Sequence, residues 1–254
     1  MMNGFDEKKI LITGASRGLG AVCAQAFSRM GARLAVCARS EEQLEEVIRS
    51  CQQPERHTVI AVDLLELAAI PAAVAEAQLF LGRIDVVLHV AGGGLGFREP
   101  LLEAHDLLKL FTLNVAAAAE INRLVIPEMK QRKQGRLIHV GSIAGREAVA
   151  SVGYNTVKTA LSAYVRSLGN ELAASSLVVT GIQPGGFLAP GNSWARLTAD
   201  KPEVVEQFIQ QRLPRGYLAQ AEELVPLLTF LCSDAASMMA GCMVPIDAGE
   251  GKCY

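Results

Sequence analysis

The sequence predicts an α/β protein built on a doubly wound sheet of seven parallel strands with helices on both faces, and three observations carry that reading. Short runs of apolar, branched residues alternate with longer stretches whose apolar positions recur near every 3.6 residues, the order that builds a parallel sheet covered on both sides. A glycine-rich segment, Gly14 to Gly20, follows the first apolar run directly and opens the first helical stretch. The chain has 254 residues and is 50% hydrophobic, enough to bury one large core but hardly two, so residues 1–254 are expected to form a single domain.

The elements are expected in strict alternation. Strand 10–13 leads into helix 18–30, and strand 34–38 into helix 41–51. Strand 58–62 precedes helix 71–81, where Pro71 suits a first helical turn because its missing N–H would have no intrahelical partner there. Strand 86–90 is followed by the longest helical pattern, 107–132, which Pro127 should kink or shorten. Strand 136–140, helix 152–174, strand 178–182, helix 221–231 and strand 243–247 complete the sheet. The stretch 185–214 breaks the rhythm, with Gly, Pro, Asn and Ser ahead of a short amphipathic helix at 200–212. It follows the carboxyl end of a strand, where open α/β sheets bind ligands, and so predicts a substrate lid.

Composition narrows the function. The formal charge is −2, and apart from the run Lys130-Gln131-Arg132-Lys133 the basic residues are scattered, which leaves no footprint for nucleic acid. Cys23, Cys37, Cys51, Cys232, Cys242 and Cys253 show no CxxC spacing, so neither a metal site nor disulfides are expected. Residues 1–9 lack an apolar signal core, and no segment approaches the ~18 apolar residues of a membrane span. These features together predict a cytoplasmic protein that does not engage a membrane.

The chemistry begins at Thr13-Gly14-Ala15-Ser16-Arg17-Gly18-Leu19-Gly20. Glycines between a strand and a helix permit a tight turn and close approach of a pyrophosphate, while the helix N-terminus offers unpaired N–H groups and a partial positive charge. The spacing is Gly-x3-Gly-x-Gly, and together with Tyr154-Asn155-Thr156-Val157-Lys158 it resembles the classical short-chain dehydrogenase/reductase family. The resemblance covers nearly the whole chain: the glycine turn, Asp63-Leu64, Ala91-Gly92, Asn114, Ser142, Tyr154, Lys158 and Pro184-Gly185 follow in the family's order. It implies a Rossmann-like domain, a nicotinamide cofactor, a carbonyl or secondary-alcohol substrate, and a homotetramer or homodimer.

Residue by residue, the resemblance assigns Tyr154 as general acid or base, Lys158 as its activator, Ser142 as the hydroxyl that orients the carbonyl, and Asn114 as holder of a relay water at a local helix distortion. Tyr154 and Lys158, four apart, share one helix face, so the ammonium is expected to lower the phenol from its ordinary pKa of about 10. Cofactor contacts are implied at Gly14, Ser16, Arg17, Gly18, Leu19, Gly20, Arg39, Asp63, Leu64, Ala91, Gly92, Tyr154, Lys158, Pro184 and Phe187. After the second strand an acidic residue would bind the ribose hydroxyls of NAD. This chain has Ala38 there, followed by Arg39, which with Arg17 can grip a 2′-phosphate, so the expected cofactor is NADP(H).

The chain departs from the family at two points. His89 and Val90 stand where two asparagines are common, and His89 is expected to be a core histidine bonded to backbone. Ala189 replaces a threonine that in the family binds the cofactor, which either lowers cofactor affinity or is offset by Asn192 and Ser193. Arg146 and Glu147, just after the serine, are candidates to grip a polar substrate group. The pattern looks closest to 3-oxoacyl carrier-protein reductases and to reductases of sugar or surface-polysaccharide precursors, making the expected partner a small-molecule or carrier-linked carbonyl compound. An NADPH-binding scaffold without turnover, and an epimerase or dehydratase working through a transient hydride transfer, are the rival readings. The C-terminal residues 249–254 resemble the family's subunit-contacting tail.

Overall fold

A computed structural model describes residues 5–253. Its strands are β1 (Lys9–Thr13), β2 (Arg33–Ala38), β3 (Thr58–Ala61), β4 (Val86–His89), β5 (Gly135–Val140), β6 (Leu177–Pro184), β7 (Phe187–Leu188), β8 (Ala219–Gln220) and β9 (Met243–Ile246). Seven of them form one parallel sheet in the order β3-β2-β1-β4-β5-β6-β9, whereas β7 and β8 make a separate small parallel ribbon. The central strands are buried along nearly their whole length, which is why they read as mostly apolar runs without strict alternation. Strand order reverses between β1 and β4, so a crevice opens at their carboxyl ends.

The helices are α1 (Gly18–Arg29), α2 (Glu41–Arg49), α3 (Ile70–Leu81), α4 (Ala104–Phe111), α5 (Ala117–Arg132), α6 (Val152–Leu172), α7 (Ser193–Asp200), α8 (Pro202–Arg212) and α9 (Val225–Cys232). Phe27, Leu44, Leu228 and Leu231 from α1, α2 and α9 cover one face of the sheet. Val74, Ile121, Met129, Leu161 and Val165 from α3, α5 and α6 cover the other. No helix among the described residues is long and apolar enough to cross a membrane.

Three expectations need correction. The pattern at 107–132 is not one helix: α4 and α5 are joined by a π-helical turn at Thr112–Ala116, which carries Asn114. Of the two outcomes expected of Pro127, a kink or a shorter helix, the second does not occur: α5 runs on to Arg132. Fully buried Val125 and Met129 flank it, and burying two such side chains, at roughly 1.5–3 kcal/mol each, outweighs the ~3 kcal/mol cost of an internal proline. The segment 221–231 begins as a 3-10 turn, Ala221–Leu224, before α9 with Pro226 in its first turn. The region expected as a lid holds two helices, α7 and α8. With Leu188 and Leu218 they build their own small core around Val205, Trp194 and Phe208, apart from the two main layers.

Candidate active site

The glycine turn is required by its neighbours. A Cβ on Gly14, whose φ is +68°, would lie 2.7 Å from the Ala91 nitrogen, and one on Gly20 would lie 2.4 Å from the Gly14 carbonyl oxygen. The turn is therefore pressed between β1, α1 and the loop after β4. Gly14 N–H donates to the Cys37 carbonyl at 2.8 Å, and Gly18 N–H donates to that of Pro190 at 2.9 Å. No side chain caps α1 and no acidic residue lies in its first turn, so its positive end faces the crevice. Arg17 and Arg39 are both exposed beyond the ends of adjacent strands, and neither has an ion-pair partner among the described residues. Asp63 follows β3, with Oδ1 accepting from Leu65 N–H at 3.0 Å while Leu64 is buried.

At the next strand, Thr13 supplies what the two missing asparagines would: its Oγ1 accepts from both Val90 and Ala91 N–H groups at 3.2 Å. His89 is a core histidine as expected, but its partner is a side chain rather than backbone. Its Nε2 lies 2.8 Å from Asn122 Oδ1, and its ring stacks on His139 with centroids 4.4 Å apart. Burial lowers its pKa to about 4 and holds that of His139 well below the ordinary imidazole value, so both rings are neutral near pH 7.

Asn114, Gly92 and Lys158 meet just behind the crevice. The Asn114 amide accepts from Gly93 N–H and donates to the Gly93 carbonyl, both at 3.0 Å, and donates to the Leu110 carbonyl at 2.9 Å. A Cβ on Gly92 would fall 2.8 Å from Asn114 Oδ1 and 3.2 Å from Lys158 Nζ, so only glycine fits between them. Lys158, 3% exposed, donates from Nζ to the Val140 carbonyl at 3.0 Å and stands 5.6 Å from the centre of the Tyr154 ring.

Ser142 caps the short turn Ile143–Gly145, its Oγ accepting from Ala144 N–H at 3.1 Å. That turn is held against α6 because a side chain at Gly145 would strike the Lys158 carbonyl oxygen at 2.7 Å. The packing brings Ser142 to Tyr154, whose ionised form the serine hydroxyl favours. The sequence-level expectation for the phenol nevertheless reverses in sign. Burial pushes Tyr154 up to about 12, and burial likewise draws Lys158 down to about 8. Desolvation dominates both groups, so the polypeptide holds Tyr154 protonated at neutral pH.

The segment after β6 is also more committed than its sequence implies. Asn192, placed near the missing threonine, is already engaged: its Nδ2 donates to the Phe187 carbonyl at 2.8 Å and its Oδ1 caps α7 through Ala195 N–H at 2.8 Å. Ala189 is buried. Gly186 N–H donates to Glu250 Oε2 at 2.6 Å, and Glu147 Oε1 accepts from Cys253 N–H at 2.9 Å and from Lys252 N–H. Glu147 thus pins the chain's own tail rather than reaching for a substrate; Tyr254, the last residue of that tail, lies outside the described residues. Thr13, His139, Asn122, Tyr164 and Glu250 were not identified from sequence, since their partners lie on other strands and helices.

Outside this region, no group of acidic, histidine and cysteine side chains among the described residues is arranged to hold a metal, and the six cysteines are free thiols. A nucleotide-shaped turn at a reversal of strand order, with serine, tyrosine and lysine converging at the same sheet edge, defines a nicotinamide-dependent oxidoreductase. The sequence model described as short chain dehydrogenase matches residues 8–199, and the chain belongs to that family. It is 34% identical to "Oxidoreductase UcpA" of Salmonella typhimurium over 98% of this chain and 96% of that protein. It is 26% identical to "3-oxoacyl-[acyl-carrier-protein] reductase FabG" of Pseudomonas aeruginosa over 95% of this chain and 96% of that one. Among solved structures, L-sorbose reductase from Gluconobacter frateurii, complexed with NADPH and L-sorbose, superposes with a TM-score of 0.91 at 27% identity, covering all of both chains.

Proposed function

We propose that this protein is an NADP(H)-dependent ketone reductase in which Tyr154 gives the proton and Ser142 orients the carbonyl. The observation that carries the reading is the convergence of Ser142, Tyr154 and Lys158 beside the glycine turn, with the phenol held protonated. Tyr154 carries its proton at neutral pH and is placed to donate it when a carbonyl is reduced.

The residues present fit the cofactor. Gly18 is open on the side where a Cβ would stand, with only the Pro190 carbonyl oxygen 3.9 Å away, the start of α1 has no side-chain cap, and Arg17 and Arg39, without ion-pair partners among the described residues, are suited to a 2′-phosphate. Gly14, Ser16, Arg17, Gly18, Leu19, Gly20 and Arg39 would hold its phosphates, Asp63, Leu64, Ala91 and Gly92 its adenine side, and Pro184 and Phe187 its nicotinamide end. When bound, the cofactor supplies the hydride. Ser142 donates a hydrogen bond to the substrate oxygen, and Tyr154 transfers its proton to that oxygen as negative charge develops. Lys158 keeps a positive charge behind the phenol, while Asn114 fixes the glycine wall through Gly93 and stands where a relay water would be held. The segment 185–214, with α7, α8 and their separate small core, acts as the lid that excludes water.

The substrate is a ketone carried on a thioester or on a sugar, as in the reductases to which the chain is similar. Leu108, Phe111 and Val152, exposed at the start of α6 and on α4, form the contact face of a homo-oligomer. Four buried free thiols accord with a reducing cytoplasm. Loss of NADPH absorbance across a panel of keto-esters, oxoacyl thioesters and keto-sugars tests catalysis and substrate together; an epimerase or dehydratase would show no net loss. Tyr154→Phe is expected to lower turnover by at least ~100-fold while NADPH still binds, and wild-type turnover in that variant overturns the mechanism.

A further inference from the structure

Behind the reacting groups lies a polar cluster that the mechanism above does not use. Thr13, His89 and His139 are in-register neighbours on β1, β4 and β5, one row in from the crevice. Asn122 on α5 reaches this row: its Oδ1 faces His89 Nε2, and its Nδ2 faces both His139 Nε2 at 3.4 Å and the Tyr164 hydroxyl at 3.0 Å. An amide nitrogen only donates, so His139 Nε2 must accept, and the proton of this neutral ring then sits on Nδ1. That Nδ1 is fully buried and has no hydrogen-bond partner in the protein. An unpaired donor there would cost stability, so an acceptor is required.

His139 also walls a cavity of ≈ 10 Å³, shared with His89, Thr13, Asn114 and Val140. By this measure roughly 10–15 Å³ accommodates one water, provided polar partners surround it. Val140 is the residue after His139, and its carbonyl is the acceptor that holds Lys158 Nζ. We propose that His139 is a positioning residue for Lys158, holding one buried water that braces the end of β5 and so aims the Val140 carbonyl at the amine. The titratable groups around His139 are His89 on β4 and Lys158 and Tyr164 on α6, with Tyr154 beyond Lys158; α5 faces it with the Asn122 amide. Burial keeps both stacked rings neutral beside the ammonium.

This inference rests on the catalytic reading for its kinetic consequence alone. The test compares His139→Phe, which keeps the ring stack and deletes both the Nδ1 donor and the Nε2 that accepts from Asn122, with His139→Asn, which keeps a donor at the same strand position. High-resolution diffraction of the wild-type protein is expected to show one ordered water within hydrogen-bonding distance of His139 Nδ1, absent from His139→Phe. The ¹⁵Nζ resonance of Lys158 should titrate at lower pH in His139→Phe, because a poorly aimed carbonyl favours the ammonium less, and near wild type in His139→Asn. With a ketone substrate, His139→Phe should lower kcat about tenfold at unchanged KM, the size of one unsatisfied buried hydrogen bond. A dry cavity in the wild-type protein overturns the proposal, as does a folded His139→Phe with wild-type Lys158 titration and kcat. If His139→Phe does not fold, the wild-type water decides. If no ketone in the panel is reduced, the catalytic reading fails, while the water and the Lys158 titration still decide this one.

Discussion

Adding one methyl group at Gly92 tests the geometry of the site more sharply than removing a reacting group. In Gly92→Ala the new Cβ is 2.8 Å from Asn114 Oδ1, closer than such contacts are tolerated, and 3.2 Å from Lys158 Nζ, a tight contact. The amide cannot simply rotate aside, because Asn114 is 2% exposed and makes three hydrogen bonds. Displacing it forfeits the two bonds to Gly93, worth about 1 kcal/mol each net, and ~2 kcal/mol corresponds to roughly thirtyfold in rate if the glycine wall is needed in the transition state. The assay is kcat/KM for ketone-dependent NADPH oxidation, with thermal unfolding run alongside. Asn114→Ala supplies the control. It removes the atom struck first, so the double variant should lose less than the sum of the two single losses. Wild-type kcat/KM in Gly92→Ala, or strict additivity in the double variant, would refute the argument that Asn114 and Lys158 close on Gly92.

Other expectations follow from the cofactor end and from the buried amine. Ala38→Asp combined with Arg39→Ala should move preference from NADPH toward NADH by about tenfold or more, read as the ratio of kcat/KM values, because a guanidinium–phosphate pair is exchanged for a carboxylate that can bind ribose hydroxyls. Lys158 has a folded pKa near 8 against an ordinary 10.5, so between those values the unfolded chain binds more protons and stability rises with pH. The full difference is on the order of 3 kcal/mol, fully felt below about pH 8. Urea unfolding of the wild-type protein from about pH 7.5 to about pH 10 should show that rise, and Lys158→Met should flatten it. A slope that persists unchanged in Lys158→Met assigns it to another group.

Much of the fold was legible because the signals are local. A parallel sheet covered on both faces needs continuous apolar strands, and each of the seven was visible as such. Gly14, Gly18 and Gly20 announced a strand-to-helix turn, and Tyr154 and Lys158 share a helix face by spacing alone. The break at Asn114 appeared in the sequence only through family resemblance, since the residues around it read as uninterrupted helix. The ribbon of β7 and β8 was invisible: two residues per strand carry no period, and their pairing joins positions about thirty apart.

What the sequence determined by itself was the order of elements and the position of the nucleotide turn, which depend on neighbours within a few residues, and, through the family resemblance, the candidate reacting side chains. What the tertiary structure decided was the state of those side chains. The pKa of the Tyr154 phenol is raised rather than lowered because burial is a property of the packed chain, and desolvation there exceeds the help of the Ser142 hydroxyl. Glu147 is turned to the tail, Asn192 to the lid, and His139 onto His89, because strand register and chain reversal bring together residues that no local pattern connects.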